Sequence, residues 1–103
     1  MPEEQKRQHR EDDHIVYVGA KPFMAYVTGV VMQFTTQGAK EVVVKSRGKF
    51  ISKAVDISEV AVKRFLVGQI EVKNVKIGSE EFINNEGRKV NVSFIEITLG
   101  MKQ

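Results

Sequence analysis

Between Lys40 and Lys53 the chain places Lys40, Lys45, Arg47, Lys49 and Lys53 against a single acid, Glu41, and no acid follows before Lys53. A glycine-containing turn, Ser46-Arg47-Gly48-Lys49, sits in this run just ahead of a helical pattern. Cations beside free backbone amides and the positive end of a helix can hold phosphate oxygens by charge and hydrogen bonding together. Lys21, after an earlier short strand pattern, and Arg88 and Lys89, beside a turn-rich hairpin tip, add to the same chemistry.

Residues for acid/base chemistry are sparse. His9 and His14 lie at or before the start of the ordered pattern, so neither a His-based pair nor a metal site is expected. Asp12-Asp13 and Glu80-Glu81 are adjacent in sequence, and neighbouring side chains diverge in direction. Gly19-Ala20-Lys21 lacks the glycine spacing and Lys-Ser/Thr pair of a P-loop, and no G-x-G-x-x-G occurs. Ser46, Ser52, Ser58 and Ser93 have no base to activate them. The sequence therefore reads as a binding protein and not an enzyme, with no cofactor and no metal.

Those cations need a scaffold. His14 to Val18 is a β-branched and aromatic run ended by Gly19, which predicts a strand. Pro22 then suits a helix start, and Phe23, Val27, Val30 or Val31, and Phe34 repeat at helical spacing over 22–36. Glu41 to Lys45 is a continuous apolar run that predicts a central strand covered on both faces. Ile51, Ala54, Val55, Ser58, Val62, Phe65 and Leu66 form a second helical stripe ending near Gly68, with Lys53 off it.

Ile70 to Ile77 and Val90 to Leu99 read as alternating strands joined by Gly78 to Lys89, with a tip at Asn84-Asn85-Glu86-Gly87. Both strands change phase, one at Asn74 and the other across Phe94. Pairing these slips predicts one bend, from which the distal half of the hairpin projects as an arm. The expected order is β-α-β-α-β-β, an α/β two-layer sandwich.

At 103 residues with 42% hydrophobic content, one domain with one modest core is expected, over 14–103. Residues 1–13 are almost wholly polar and are expected to be a disordered charged tail. The net charge of +3 and pI near 9.3 understate the basic character of the remainder, because that tail carries Glu3, Glu4, Glu11, Asp12 and Asp13 against Lys6, Arg7 and Arg10. Absence of cysteine excludes disulfides and thiolate sites and fits a reducing compartment. No signal-like or membrane-spanning apolar run is seen, so a soluble cytoplasmic protein is expected.

The segments Val16 to Val27, Lys45 to Asp56, Arg64-Phe65-Leu66 and Val92 to Ile97 resemble the Alba family of archaeal chromatin proteins, over about Ile15 to Lys102. The resemblance implies a fold similar to the C-terminal domain of bacterial translation initiation factor three. It also implies a homodimer that binds duplex DNA, and RNA, without regard to sequence. It assigns phosphate contacts to Lys21, Lys45, Arg47 and Lys49 and a groove-entering arm residue to Arg88. Ala20 stands where the family's acetylatable lysine is found, so regulation by acetylation does not carry over. Phe65 matches a residue of the contact between neighbouring dimers, whereas periodicity puts it in the core; partial exposure at that contact is the reading adopted.

Together these readings predict an architectural protein of the cytoplasm and nucleoid that coats and compacts double-stranded DNA. Lys21, Lys45, Arg47, Lys49, Lys53, Arg88 and Lys89 would hold nucleic acid, and Phe65 would join dimers. A paralogue could replace one protomer. The competing readings are an RNA-binding or ribonucleoprotein component using the same surface, and a small enzyme on a phosphorylated metabolite. No exposed aromatic platform for single-stranded bases is evident among Phe23, Phe34, Phe50, Phe65, Phe82 and Phe94.

Overall fold

The structure, a computed structural model, describes residues 14–103, so the expected tail at 1–13 lies outside the described residues. In chain order the elements are β1 (Ile15–Tyr17), α1 (Phe23–Thr35), β2 (Glu41–Arg47), a short 3₁₀ turn (Gly48–Phe50), α2 (Ile51–Val60) running on through a π turn (Ala61–Phe65), β3 (Ile70–Ile83) and β4 (Lys89–Met101). The strands form one mixed sheet in the order β1-β2-β4-β3, with β1 parallel to β2 and the other pairs antiparallel. This is the β-α-β-α-β-β arrangement that the sequence predicts, with a long β3–β4 hairpin.

Both helices cover one face of the sheet. Tyr26, Val27, Val30 and Phe34 of α1 and Ala54, Ile57 and Ser58 of α2 are buried against Val42, Val44, Ile95, Ile97 and Leu99. Each fully buried Val, Ile or Leu contributes roughly 1.5–3 kcal/mol, so these few side chains account for most of the cohesion of so small a core. The continuous apolar run of β2 does not mean two covered faces. Val42, Val44 and Ser46 are buried, but Val43 and Lys45 between them are only half-buried, because the second layer exists on one side only.

The second helical stripe is shifted from its expected phase. Ile57 and Ala61 are fully buried, whereas Val55 is 39% and Phe65 47% exposed. At its end the Leu66 amide donates to the Ala61 carbonyl, 2.9 Å away, a five-residue step in place of four. That extra residue turns Leu66 inward and Phe65 outward. Phe65 is thus partly exposed, as the resemblance implied and periodicity did not.

The hairpin also differs in detail from its expected course. Its strands run to Ile83 and from Lys89, so the connection is far shorter than Gly78 to Lys89. Asn84 shapes the turn: its Oδ1 accepts from the amides of Glu86 and Arg88, at 2.9 and 3.0 Å.

The two phase changes are separate features. Asn74 pairs with Thr98, and Phe94 with Gly78. A bulge between Val72 and Asn74 inserts Lys73, after which Val75 and Ile77 face the same way as Ile70, opposite Ile97 and Ile95. In β4 the ladder continues unbroken through Phe94; there the apolar side chains pass to the helix-free face because the helical layer ends. The arm projects nonetheless. Arg47, the last residue of β2, pairs with Phe94, so the β4 segment from Lys89 to Phe94 extends about 17 Å beyond the body of the sheet.

Candidate nucleic-acid interface

Parallel pairing of β1 and β2 puts their C-terminal ends side by side, Tyr17 beside Lys45. The loops that follow, carrying Lys21 and Lys49, therefore leave the same end of the sheet, as expected; Ser46 and Arg47, expected in the second loop, instead extend β2 and pair with Ile95 and Phe94 of β4. Because β4 runs antiparallel to β2, the hairpin arm leaves that end as well, with Arg88 and Lys89 exposed at its tip. One end of the molecule thus holds two basic loops and the root of a basic arm.

The Lys21 loop is held by side chains from both helices. The Tyr26 hydroxyl oxygen accepts from the amides of Gly19 (2.9 Å) and Lys21 (3.2 Å). Lys53 donates its ammonium to the carbonyls of Gly19 and Lys21, each at 2.6 Å, and lies 5.1 Å from the centroid of the Tyr26 ring. Burial opposes ionisation of the Tyr26 phenol, but the two amide donors and the nearby Lys53 and Lys21 charges outweigh it, holding the group below its ordinary value. These amides are consequently engaged within the protein. The fixed backbone leaves the Lys21 side chain exposed at the loop tip.

Lys45 projects from the helix-free face, 3.5 Å from Glu96 and 5.5 Å from the centroid of Tyr17. Arg47 reaches over β4 to Glu80 at 3.3 Å, its guanidinium 5.1 Å from the centroid of Phe82. Lys49 is exposed in the 3₁₀ turn beside Phe50. Gly48, at φ +61°, makes the reversal that lets β2 pass into this turn at once. The Arg47–Glu80 pair is solvent-exposed and the Lys45–Glu96 pair partly so, and such pairs are worth at most about 1 kcal/mol, so a phosphate can compete for either cation.

Lys21, Lys45, Arg47, Lys49 and Lys53 are brought to one end, and Arg88 and Lys89 lie outward along the arm. Sequence reasoning missed Tyr26 as the clamp of the Lys21 loop. Its i+3 spacing from Phe23 places it beside the predicted apolar stripe, and that spacing was the available signal. Tyr17, Phe82 and Phe94 were likewise not grouped, because their proximity depends on the register of four strands. Among the described residues no cluster of His, Asp or Glu fit for a metal ion occurs, and no helix is long and apolar enough to cross a membrane.

A one-sided α/β sandwich with a basic end and a projecting hairpin defines a class of scaffold built around a charged surface instead of an enclosed catalytic pocket. Comparison with known proteins specifies it further. The Alba family profile matches residues 14–79, and the chain belongs to the Alba family. It is 46% identical over 87 residues to the DNA/RNA-binding protein Alba of Methanococcus maripaludis, covering 84% of this chain and 97% of that one. With the DNA/RNA-binding protein Alba of Nanoarchaeum equitans the identity is 53% over 88 residues, covering 84% and 97%. The solved structure of Alba from Thermoplasma volcanium superposes with a TM-score of 0.76 at 41% identity, covering 84% of this chain and 98% of that one. The first two of these relatives carry the description DNA/RNA-binding protein.

Proposed function

We propose that this protein binds double-stranded DNA without reading its sequence, and coats and compacts it as a chromatin protein of the nucleoid. The observation that carries this reading is the common end from which both basic loops and the hairpin arm emerge. Lys21, Lys45, Arg47 and Lys49 hold phosphates at that end, and Arg88 and Lys89 follow the backbone or a groove further along. Lys53 joins this set chiefly by fixing the Lys21 loop. The relatives' names, DNA/RNA-binding protein, support a nucleic-acid partner for this chain.

The working unit in this reading is a homodimer. Support comes from β3, an edge strand whose helix-side positions expose Val72 (41%), Val75 (52%) and Ile77 (75%). A row of apolar side chains on an open edge is a liability in a lone chain and a suitable seam for a second copy. Phe65, exposed on the π turn, then serves contacts between neighbouring dimers on DNA.

The test is ionic strength. A dimer neutralising six to ten phosphates should lose roughly 10³- to 10⁵-fold in affinity between 50 and 200 mM salt, equally for unrelated duplex sequences. A shallow dependence, or strong preference for one sequence, would overturn the reading.

A further inference from the structure

Beside the basic end, the helix-free face of the sheet carries an aromatic surface that charge-based duplex binding does not use. Tyr17 is 68% and Phe82 38% exposed there, and Phe94, half-buried, lies between them on β4. They border a cleft of about 840 Å³ whose rim includes Lys45, Arg47 and Phe50. The register places these side chains on one face: Tyr17 pairs with Lys45, Lys45 with Glu96, and Phe94 with both Arg47 and Gly78.

Gly78 sets the attitude of the Phe94 ring. A Cβ at Gly78 would meet Phe94 Cζ at 2.8 Å and Cε2 at 2.9 Å, so the far edge of the ring occupies the space over the glycine. The neighbouring rings already carry planar or charged groups: the Lys45 ammonium is 5.5 Å from the centroid of Tyr17, and the Arg47 guanidinium 5.1 Å from that of Phe82. Rings that accept a cation at this distance offer a π-face to a base, while the cation turns to the phosphate.

We propose that this face binds single-stranded nucleic acid, stacking unpaired bases on Tyr17, Phe94 and Phe82 while Lys45, Arg47 and Lys49 hold the intervening phosphates. The chemistry matches a recurrent solution in which a four-stranded sheet, helices behind it, stacks two or three bases on aromatics of its open face. Tyr17 lies level with Glu96 and Phe82 with Val90, so their backbone positions are separated by roughly 14 Å across the sheet and roughly 20 Å along the strands, and an extended nucleic-acid strand would cross the face on that diagonal, over Phe94. Glu80 and Glu96, beside Arg47 and Lys45, keep the face from being uniformly basic and can accept hydrogen bonds from base amino groups. The proposal rests on the reading that the basic end holds phosphates, and it adds base recognition to it.

The experiment uses the full chain, its Tyr17→Leu/Phe82→Leu variant and a Gly78→Ala variant. Fluorescence anisotropy is measured with a 12-nucleotide strand, an abasic strand of the same length and a 20-base-pair duplex. Leucine keeps apolar bulk but cannot stack, and circular dichroism reports whether each variant is folded. The wild type should bind the base-bearing strand at least about tenfold more tightly than the abasic one. The leucine variant should lose that preference and keep its duplex affinity within about twofold, and Gly78→Ala, by lifting Phe94, should lose part of it. Ribose and deoxyribose versions of the strand identify whether RNA or DNA is the source. Equal binding of abasic and base-bearing strands by the wild type would overturn the proposal. So would parallel losses for strand and duplex in a folded variant, or an unchanged preference in both variants. Failure of duplex binding with the base preference intact would count instead against the chromatin reading.

Discussion

The ammonium of Lys53 lies 2.6 Å from the carbonyl oxygen of Lys21, so one cation of the basic end holds the backbone that presents another. A second bond of the same length to the Gly19 carbonyl completes the staple between α2 and the loop after β1. Charge in this region therefore has two tasks, which sequence composition cannot separate.

Lys53→Met removes the ammonium and keeps the stem over Tyr26 and Phe50. Stability should fall by about 1–2 kcal/mol, the range for partly exposed hydrogen bonds to a charged donor. Duplex affinity should drop while the slope of log affinity against log salt stays as in the wild type, because every phosphate keeps its cation. Thermal denaturation and a salt titration together check this; a slope reduced by about one would return Lys53 to the direct contacts.

Arg47→Ala and Lys49→Ala should behave in the opposite way. Both side chains are exposed and neither supports the core, so melting temperature should change little. Binding should weaken alike on all duplexes, with the salt slope falling by about one for each phosphate that no longer meets a cation. The decisive measurement is the slope on two duplexes of unrelated sequence. Unchanged binding in the double variant would remove this loop from the interface.

Tyr26→Phe tests the clamp itself. It leaves the ring in the core and takes away the acceptor of the Gly19 and Lys21 amides, so the melting temperature should fall by several degrees with a parallel loss of duplex affinity. The phenol is held below its ordinary value near 10 when folded, so ionisation adds stability as pH rises through the folded value and is lost as pH falls back through it. The gap between wild type and variant should therefore stay constant at and below neutral pH and widen on the alkaline side. Melting curves from pH 6 to 10 check both parts.

The local pattern was sufficient for every strand and helix and for the loop positions of Lys21 and Lys49, but it ended β2 at Lys45 and so put Arg47 in a turn instead of in the ladder with Phe94. It failed where one residue changes the count. The π turn before Leu66 moves Phe65 off the core stripe and has no local signature in side-chain type, whereas the bulge at Lys73, which keeps Val75 and Ile77 on the face of Ile70, was legible as the phase change at Asn74 but not in its register against β4. The phase change across Phe94 was real but reflected the end of the helical layer, not a bend. Likewise Tyr17, Phe82 and Phe94 are distant in sequence and meet only through the register of the sheet.

Ile77→Lys tests the seam. Ile77 is 75% exposed in the described chain, so the substitution should leave a monomer folded with little change in circular dichroism. If β3 forms the dimer interface, a buried unpaired lysine disfavours it, and sedimentation velocity should show monomers at micromolar concentration where the wild type is dimeric. Duplex binding should then weaken and its salt slope approach half the wild-type value, because each particle brings half the cations. A dimer that persists in this variant would place the seam elsewhere.

Phe65 distinguishes a core residue from a contact residue most directly, because its two readings predict opposite losses. A buried phenylalanine replaced by alanine costs about 3–5 kcal/mol and would unfold so small a domain at moderate temperature. At 47% exposure on the π turn, with Leu66 taking the inward position, Phe65→Ala should cost about 1 kcal/mol or less. Affinity for a short duplex holding one dimer should stay close to wild type. On a long duplex the binding isotherm should lose its steepness, since the apolar contact between neighbours is gone while phosphate contacts remain. Comparing isotherms on short and long duplexes with the melting temperature of the free protein separates the cases: a large fall in melting temperature with steepness preserved would return Phe65 to the core.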